Sequence, residues 1–193
     1  MSGNDIVDRA TAAAESNWKR KGFLEKIFTP QEQQYIHEAA SPGEMVWKLW
    51  SMKESAYKIY TRQYGGRFFA PQKFNCKVLT GPEGKVEINK VTYHTITQLA
   101  ENYIYSIARP VEQGKASFVN CCFRITEPGL RKQQEFINER MILHYAMVSG
   151  KERNDIEIIK DRNGIPLLYC SQDKLSIPVS ITHHGNYAAF TIY

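Results

Sequence analysis

The chain lacks the residue spacings that mark several common functional sites. Its four cysteines form neither a Cys-x-x-Cys pair nor another zinc-binding spacing, so we expect reduced thiols and no structural zinc. Gly-x-Ser-x-Gly is also missing, which argues against a serine hydrolase. Gly81–Lys85 contains two glycines and a lysine, but it lacks the spacing and the hydroxyl of a phosphate-binding loop, and it predicts a hairpin turn instead.

Long hydrophobic runs are absent as well. Residues 1–22 are polar and charged, with no stretch that could act as a signal or span a membrane, so we expect a soluble cytoplasmic protein without a membrane partner. No recognised nucleic-acid module is present. The net charge of +5 favours an anionic partner, and charge alone leaves open a nucleic acid, a phosphorylated ligand or an acidic protein.

Apolar residues make up 42% of the 193 residues, which is enough for a core. Thr29, Pro30 and Glu32 predict a helix start, with the threonine as the cap and the glutamate closing a capping box. Ser41–Glu44 repeats this pattern and predicts a longer helix that ends at the glycines of positions 65–66. A further helix is predicted at 131–147.

Alternating apolar residues and turn signals predict strands on both sides of a linker at 110–115. The predicted strands are residues 2–8, 73–79, 85–96, 102–108, 117–125, 155–161, 165–169, 179–184 and 187–193. A turn is expected at 162–164 and another at 185–186. The pattern therefore predicts an α+β fold of two pseudo-related α/β halves, each with a helix packed on antiparallel strands.

Glu54 and Lys58 stand four residues apart on the long predicted helix, so they share one face beside aromatic residues. A partly desolvated carboxylate next to an ammonium suits a metal ligand or a base, although helix spacing alone favours a surface ion pair beside core aromatics. Asp5 belongs to the first predicted strand, residues 2–8, and could join Glu54 in binding Mg²⁺, which needs one or two carboxylates plus phosphate and water. The alternative for Asp5 is a helix cap.

Ser180, Thr182 and His183 lie on the strand before the last turn. Strand alternation places the two hydroxyls on one face and the imidazole on the other. Hydroxyls, an imidazole and turn amides could together bind a phosphate, whereas a histidine in a structural role is the alternative.

Taken together, these segments resemble the 4'-phosphopantetheinyl transferase superfamily. The long helix carries Trp-x-x-Lys-Glu-Ser-x-x-Lys, the most specific of the matching motifs, and the start of the chain resembles the Gly-x-Asp-Ile-Val-acid signature. The five matches occur in the order found in the family: Gly3–Asp8, Phe23–Glu32, Trp50–Lys58, Asn163–Pro166 and Val179–Ala188. The order resembles the holo-acyl-carrier-protein synthase class.

The resemblance implies Mg²⁺-dependent transfer of 4'-phosphopantetheine from coenzyme A to a serine of an acyl or peptidyl carrier protein, as in fatty acid biosynthesis, with release of 3',5'-ADP. Asp5 and Glu54 would bind the metal (Mg²⁺, with Mn²⁺ as an alternative), and Glu54 and Lys58 would be catalytic. Lys53, Lys58, Ser180 and His183 would contact coenzyme A. The implied domains are residues 1–110, with the metal and catalytic motifs, and 116–193, on the coenzyme A side, or one pseudo-dimeric domain.

Two positions depart from the family pattern. Ile165 stands where the family has a lysine in its turn, and Val7 stands where the larger single-chain class has a third metal acid. The order of the halves is also reversed relative to that larger class, so we expect either a monomeric pseudo-dimer with one site between its halves or a trimer. The rival interpretations are a relative that binds coenzyme A or a carrier protein without catalysis, and a basic nucleic-acid-binding protein.

Overall fold

The computed structural model describes residues 1–111, 119–127, 129–162 and 164–193. It confirms the predicted α+β fold, with two five-stranded antiparallel sheets and helices packed against them. Within the described residues, no helix is both long enough and apolar enough to cross a membrane.

The first sheet has the strand order β1-β5-β4-β3-β2. Its strands are β1 (Gly3–Asp8), β2 (Asn75–Val78), β3 (Glu83–Ile88), β4 (Val91–Leu99) and β5 (Tyr103–Pro110). Four helices lie between β1 and β2 in the chain: α1 (Arg9–Glu15), α2 (Phe23–Ile27), α3 (Pro30–Glu38) and α4 (Pro42–Tyr64). Helix α4 packs against this sheet through a buried apolar stripe that includes Val46, Leu49, Met52, Ala56 and Ile59.

The second sheet has the order β6-β10-β9-β8-β7. Its strands are β6 (Val119–Arg124), β7 (Ile156–Lys160), β8 (Pro166–Cys170), β9 (Leu175–His184) and β10 (Tyr187–Ile192), with α5 (Leu130–Ser149) between β6 and β7. In each half, the first strand pairs with the last strand of a four-stranded antiparallel meander, and the helices are inserted after the first strand. The two halves therefore share one topology, which supports the predicted pseudo-relation between them.

Several local predictions are confirmed and others are wrong. The capping box of Thr29 and Glu32 forms as predicted, but Ser41 makes no side-chain cap bond at the start of α4. The segment predicted as one strand at 85–96 is divided by a turn at Asn89 and Lys90, both with positive φ. Helices α1 and α2 were not predicted, because segments of seven and five residues are too short to show apolar periodicity.

Residues 112–115 of the predicted linker lie outside the described part of the chain, and so does Asn163 of the predicted turn. The division into residues 1–110 and 116–193 therefore stays a prediction. The sheets themselves occupy residues 3–110 and 119–192.

Candidate active site

Asp5 lies in the middle of β1, where all six residues are buried. The residue is 9% exposed, and its Oδ1 accepts a hydrogen bond from Thr182 Oγ1 at 3.2 Å. Lys58 Nζ is 3.6 Å from the same oxygen. The backbone carbonyl of Asp5 accepts from Ser51 Oγ on α4 at 3.1 Å, so the strand is tied to the helix at this residue.

Glu54 and Lys58 lie one turn apart on α4, and Glu54 is close enough to Asp5 and Lys58 to interact with both of their charges. Lys58 Nζ donates to the carbonyl oxygens of Asn4, at 2.7 Å, and Ile181, at 3.5 Å. The ammonium therefore connects α4 with one strand from each half. The helix period aligns Glu54 with Lys58, and the contacts of Lys58 and Asp5 bring this face together with positions 4–5 and 181–182.

Burial sets the electrostatics of these three groups. It raises the pKa of Glu54 to about 7, with a further contribution from the nearby Asp5 and an opposing one from Lys58. Burial also raises the pKa of Asp5 despite Lys58, and lowers the pKa of Lys58 despite both carboxylates. Two desolvated carboxylates beside one ammonium leave a net negative charge when both are ionised, which a hard divalent cation would compensate.

Oxygen ligands of this kind fit Mg²⁺, provided that water and substrate phosphate complete its coordination. Within the described residues there is no group of three or more His, Cys, Asp or Glu side chains that could hold a metal by itself. Two carboxylates, those of Asp5 and Glu54, are therefore the candidate ligands of an open site, in contrast to the four ligands of a closed structural site.

Strand β9 meets β1 through side chains. Ser180 Oγ and Thr182 Oγ1 accept from the backbone N–H groups of Asn4 and Ile6, each at 3.3 Å. The next side chain on this face is His184, whose Nδ1 accepts from the N–H of Asp8 at 2.9 Å. These contacts, at every second residue on both strands, satisfy backbone donors of β1 on the side away from β5.

His183 lies on the opposite face of β9 and is exposed. It borders a cavity of about 380 Å³ that also contains Asp5, Arg20, Lys26 and Trp50. Burial, Lys58 and His184 each lower the pKa of His183. Ser180, by contrast, is 1% exposed and engaged with β1, although it borders a second cavity.

This second cavity, of about 570 Å³, lies between α4 and the turn before β8. Lys58, Arg62 and Arg67 line one side of it, and residues 164–166 and 180–181 line the other. Arg62 and Arg67 were not predicted as site residues. A signal for Arg62 was available, because it follows Lys58 by four residues and so continues the same helix face.

Lys53 is placed differently from the prediction for it. Its side chain is 1% exposed, and its ammonium binds Glu32 Oε1 at 2.7 Å and the carbonyl oxygens of Pro71, at 3.1 Å, and Phe74, at 2.6 Å. An ammonium has three donors, and these contacts use all three within the protein. The geometry therefore favours a structural role for Lys53 over contact with a ligand.

Asp8, the second acid of the opening motif, caps α1 instead of Asp5. Its Oδ1 accepts from the N–H groups of Ala10 and Thr11, and its Oδ2 accepts from that of Asn186 at 2.9 Å. Burial alone would raise the pKa of Asp8, but these hydrogen bonds hold it below its ordinary value. Gly185 beside it has a positive φ of 54°, which favours glycine, and a Cβ there would press against the Asp8 carboxylate.

The first part of the sequence matches the model of one protein family. A model of the 4'-phosphopantetheinyl transferase superfamily matches residues 1–108, which include β1 and α4. No curated protein matches the sequence.

Two solved structures with similarity are both holo-[acyl-carrier-protein] synthases. That of Thermotoga maritima is 11% identical with a TM-score of 0.45, and the match covers 86% of this chain and 83% of that one. That of Helicobacter pylori, in complex with coenzyme A, is 14% identical with a TM-score of 0.28, covering 100% and 97%. Both likenesses are too distant to support an argument, so membership rests on the family model, which matches more than half of the sequence. The chain belongs to the 4'-phosphopantetheinyl transferase superfamily.

Proposed function

We propose that this protein transfers 4'-phosphopantetheine from coenzyme A to a serine of an acyl or peptidyl carrier protein. The observation that carries the proposal is the convergence of Asp5, Glu54 and Lys58 at the junction of the two halves. Family membership supplies the reaction class, and this convergence supplies residues able to perform it.

Asp5 and Glu54 would hold Mg²⁺, or Mn²⁺ in its place, against the pyrophosphate of coenzyme A. The metal, when bound, neutralises phosphate charge and polarises the phosphorus that is attacked. The protein contributes a fixed pair of carboxylates and a partly desolvated cleft, where charge interactions are stronger than in water.

Glu54 is also our candidate for the general base. Its pKa of about 7 belongs to the metal-free protein, and bound Mg²⁺ would lower it, so this role rests on the position of Glu54 close to Asp5 and Lys58. In the proposed step the serine oxygen forms a bond to phosphorus while the bond from phosphorus to the bridging pyrophosphate oxygen breaks. The serine proton passes to Glu54, directly or through water.

Lys58 would stabilise the charge that develops on the phosphates and would protonate the leaving 3',5'-ADP. Its ammonium is held by the Asn4 and Ile181 carbonyls, so it is positioned before substrate arrives. His183, exposed beside the Asp5 cavity, would contact a coenzyme A phosphate. Ser180 would contribute at the second cavity, whereas Lys53 is better explained by its ion pair with Glu32.

The site lies between the two halves of one chain, since Asp5 and Lys58 meet Ile181 and Thr182. We therefore propose a pseudo-dimer with its halves in reversed order, carrying one site. The net charge of +5 would favour encounter with an acidic carrier protein.

The test is intact-mass spectrometry of an apo carrier protein incubated with this protein, coenzyme A and Mg²⁺. We expect a mass gain of one phosphopantetheine arm, lost in Glu54→Ala and retained in Glu101→Ala, which removes an exposed carboxylate. Both acyl and peptidyl carriers are to be tried. Tight binding of coenzyme A without mass gain on any carrier would contradict the proposal and favour a binding protein.

A further inference from the structure

Three β9 side chains bind the backbone of β1. Within the described residues, Thr182 is the one of the three that also donates a hydrogen bond to the Asp5 carboxylate. Its Oγ1 accepts from Ile6 N–H at 3.3 Å and donates to Asp5 Oδ1 at 3.2 Å. Thr182 is 6% exposed, so water has little access to compete for either bond. One side chain thus joins the two halves and contacts an acid of the candidate site.

The direction of the second bond follows from the chemistry of a hydroxyl. A threonine hydroxyl has one proton to donate, while its lone pairs accept. The Ile6 N–H can only donate, so it occupies a lone pair of Thr182 and leaves the hydroxyl proton for the carboxylate. Lys58 approaches the same oxygen, Oδ1, at 3.6 Å. Both donors therefore hold the Asp5 carboxylate with Oδ1 turned towards β9 and α4.

We infer that Thr182 is a positioning residue, which fixes the carboxylate of Asp5 in the orientation that binds the divalent cation. This inference rests on the proposed function for the role of Asp5. Thr182 belongs to the second half and Asp5 to the first, so the orientation of the metal ligand depends on how the halves pack together. Loss of the hydroxyl would leave the Asp5 carboxylate with its ion pair to Lys58, at 3.6 Å, and with the nearby Ser51 hydroxyl.

Two substitutions separate the hydroxyl from the shape of the side chain. Thr182→Val keeps the branched shape and removes both hydrogen bonds, whereas Thr182→Ser keeps the hydroxyl. Residues that orient metal ligands typically change metal affinity 10–100-fold when removed. We expect Thr182→Val to weaken Mg²⁺ binding about tenfold or more, and Thr182→Ser to stay near the wild-type value.

Thr191→Val is the matched control. Thr191 lies on β10, is fully buried at the same junction, and accepts from Ser2 Oγ at 2.9 Å. Its described contacts do not include Asp5. This variant loses a buried hydroxyl between the halves, so it is expected to lower stability while leaving the orientation of Asp5 and the Mg²⁺ affinity unchanged.

The experiment has two readouts. The first is the χ1 rotamer of Asp5 from NMR three-bond couplings in metal-free protein, which we expect to be single in wild type, Thr182→Ser and Thr191→Val, and averaged in Thr182→Val. The second is calorimetric titration of each coenzyme A complex with Mg²⁺. An unchanged Asp5 rotamer in Thr182→Val, or a mobile Asp5 with unchanged Mg²⁺ affinity, would overturn the inference.

An equal loss of Mg²⁺ affinity in Thr191→Val would also overturn the inference. The loss would then come from any weakening of the contact between the halves, and not from the bond of Thr182 to Asp5. Wild-type protein that binds no metal would count against the proposed function instead. In that case the rotamer in metal-free protein decides the inference by itself.

Discussion

Glu54 combines two properties that oppose each other in a folded protein. Its position beside Asp5 and away from solvent suits metal binding and proton transfer, but the same burial raises its pKa to about 7 and makes its ionised form costly. A carboxyl whose pKa is higher in the folded than in the unfolded state stabilises the fold while protonated. That stabilisation is complete below the ordinary value of 4.5 and is lost as the pH rises through about 7.

We therefore predict that Glu54→Gln abolishes transfer but stabilises the metal-free protein at pH 8. The gain in the free energy of unfolding should be about 1–3 kcal/mol at pH 8 and close to zero at pH 4.5. Urea unfolding in the presence of EDTA at both pH values measures it. Glu101→Gln, at an exposed position, should show no such pH dependence. Equal stability of Glu54→Gln and wild type at pH 8 would contradict the prediction.

For individual residues, the motifs predicted the members of the candidate site but not all of the side chains that contact them. Asp5, Glu54 and Lys58 were identified from their spacing and from the family resemblance, and the structure brings Lys58 to within 3.6 Å of Asp5 Oδ1. Thr182 was placed on the correct strand face, but its bond to a carboxylate 177 positions away was not foreseeable. Lys53 was assigned to coenzyme A from the family resemblance. Its ion pair with Glu32 was not predicted, because the two residues lie on different helices.

Glu32 and Lys53 link several elements to the middle of α4. Glu32 closes the capping box of α3 through Oε2, and its Oε1 accepts from Lys53 and from the N–H of Cys76 at the start of β2. The carboxylate is fully buried, so neither charge of the pair is solvated. Removing one partner of a buried pair leaves an uncompensated charge, which is far more costly than removing both.

We predict that Lys53→Met lowers the free energy of unfolding by about 3–5 kcal/mol. The double variant Lys53→Met/Glu32→Gln should recover part of this loss. At a temperature where Lys53→Met stays folded, its KM for coenzyme A should be near that of wild type. Chemical unfolding and steady-state kinetics measure the two effects separately. A large rise in KM without loss of stability would restore the original assignment of Lys53 to coenzyme A.

The turn between β3 and β4 shows why one element boundary was missed. Asn89 and Lys90 have φ of 47° and 67°, so both occupy the left-handed region that a two-residue type I' turn requires. Asparagine tolerates this region, whereas lysine is unusual there, so the two residues were not recognised as a turn. The apolar positions do change parity across it, from Val86 and Ile88 to Val91 and Tyr93.

Lys90→Gly should therefore stabilise the protein by about 0.5–1 kcal/mol, because glycine adopts positive φ without a steric penalty. The same change at Lys85, in the middle of β3, should destabilise it by a similar amount, since an extended position gains nothing from glycine. Thermal unfolding of the two variants side by side measures the difference. A lower midpoint for Lys90→Gly would contradict the assigned turn geometry.

For the whole molecule, the sequence predicted two related halves because each contains its own helix and strand signals. The structure adds that both halves have the same strand order, with the first strand paired to the last. The close contact between β1 and β9 could not be predicted, because it consists of side-chain bonds to backbone groups and leaves no hydrophobic pattern in either strand. That contact places the candidate site within one chain.

A site within one chain makes a prediction about mixed variants. Glu54→Ala and His183→Ala remove groups that we place on different halves of the same site, so each chain of a mixture still lacks one of them. We expect mixing or co-expressing the two variants to give no more transfer than His183→Ala gives by itself, measured by mass gain of the carrier. In a symmetric assembly with sites between chains, some sites would combine the intact half of each variant, and a measurable fraction of activity would return. Such recovery would show that the functional junction forms between copies, and that the contact of β1 with β9 is exchanged between chains in solution.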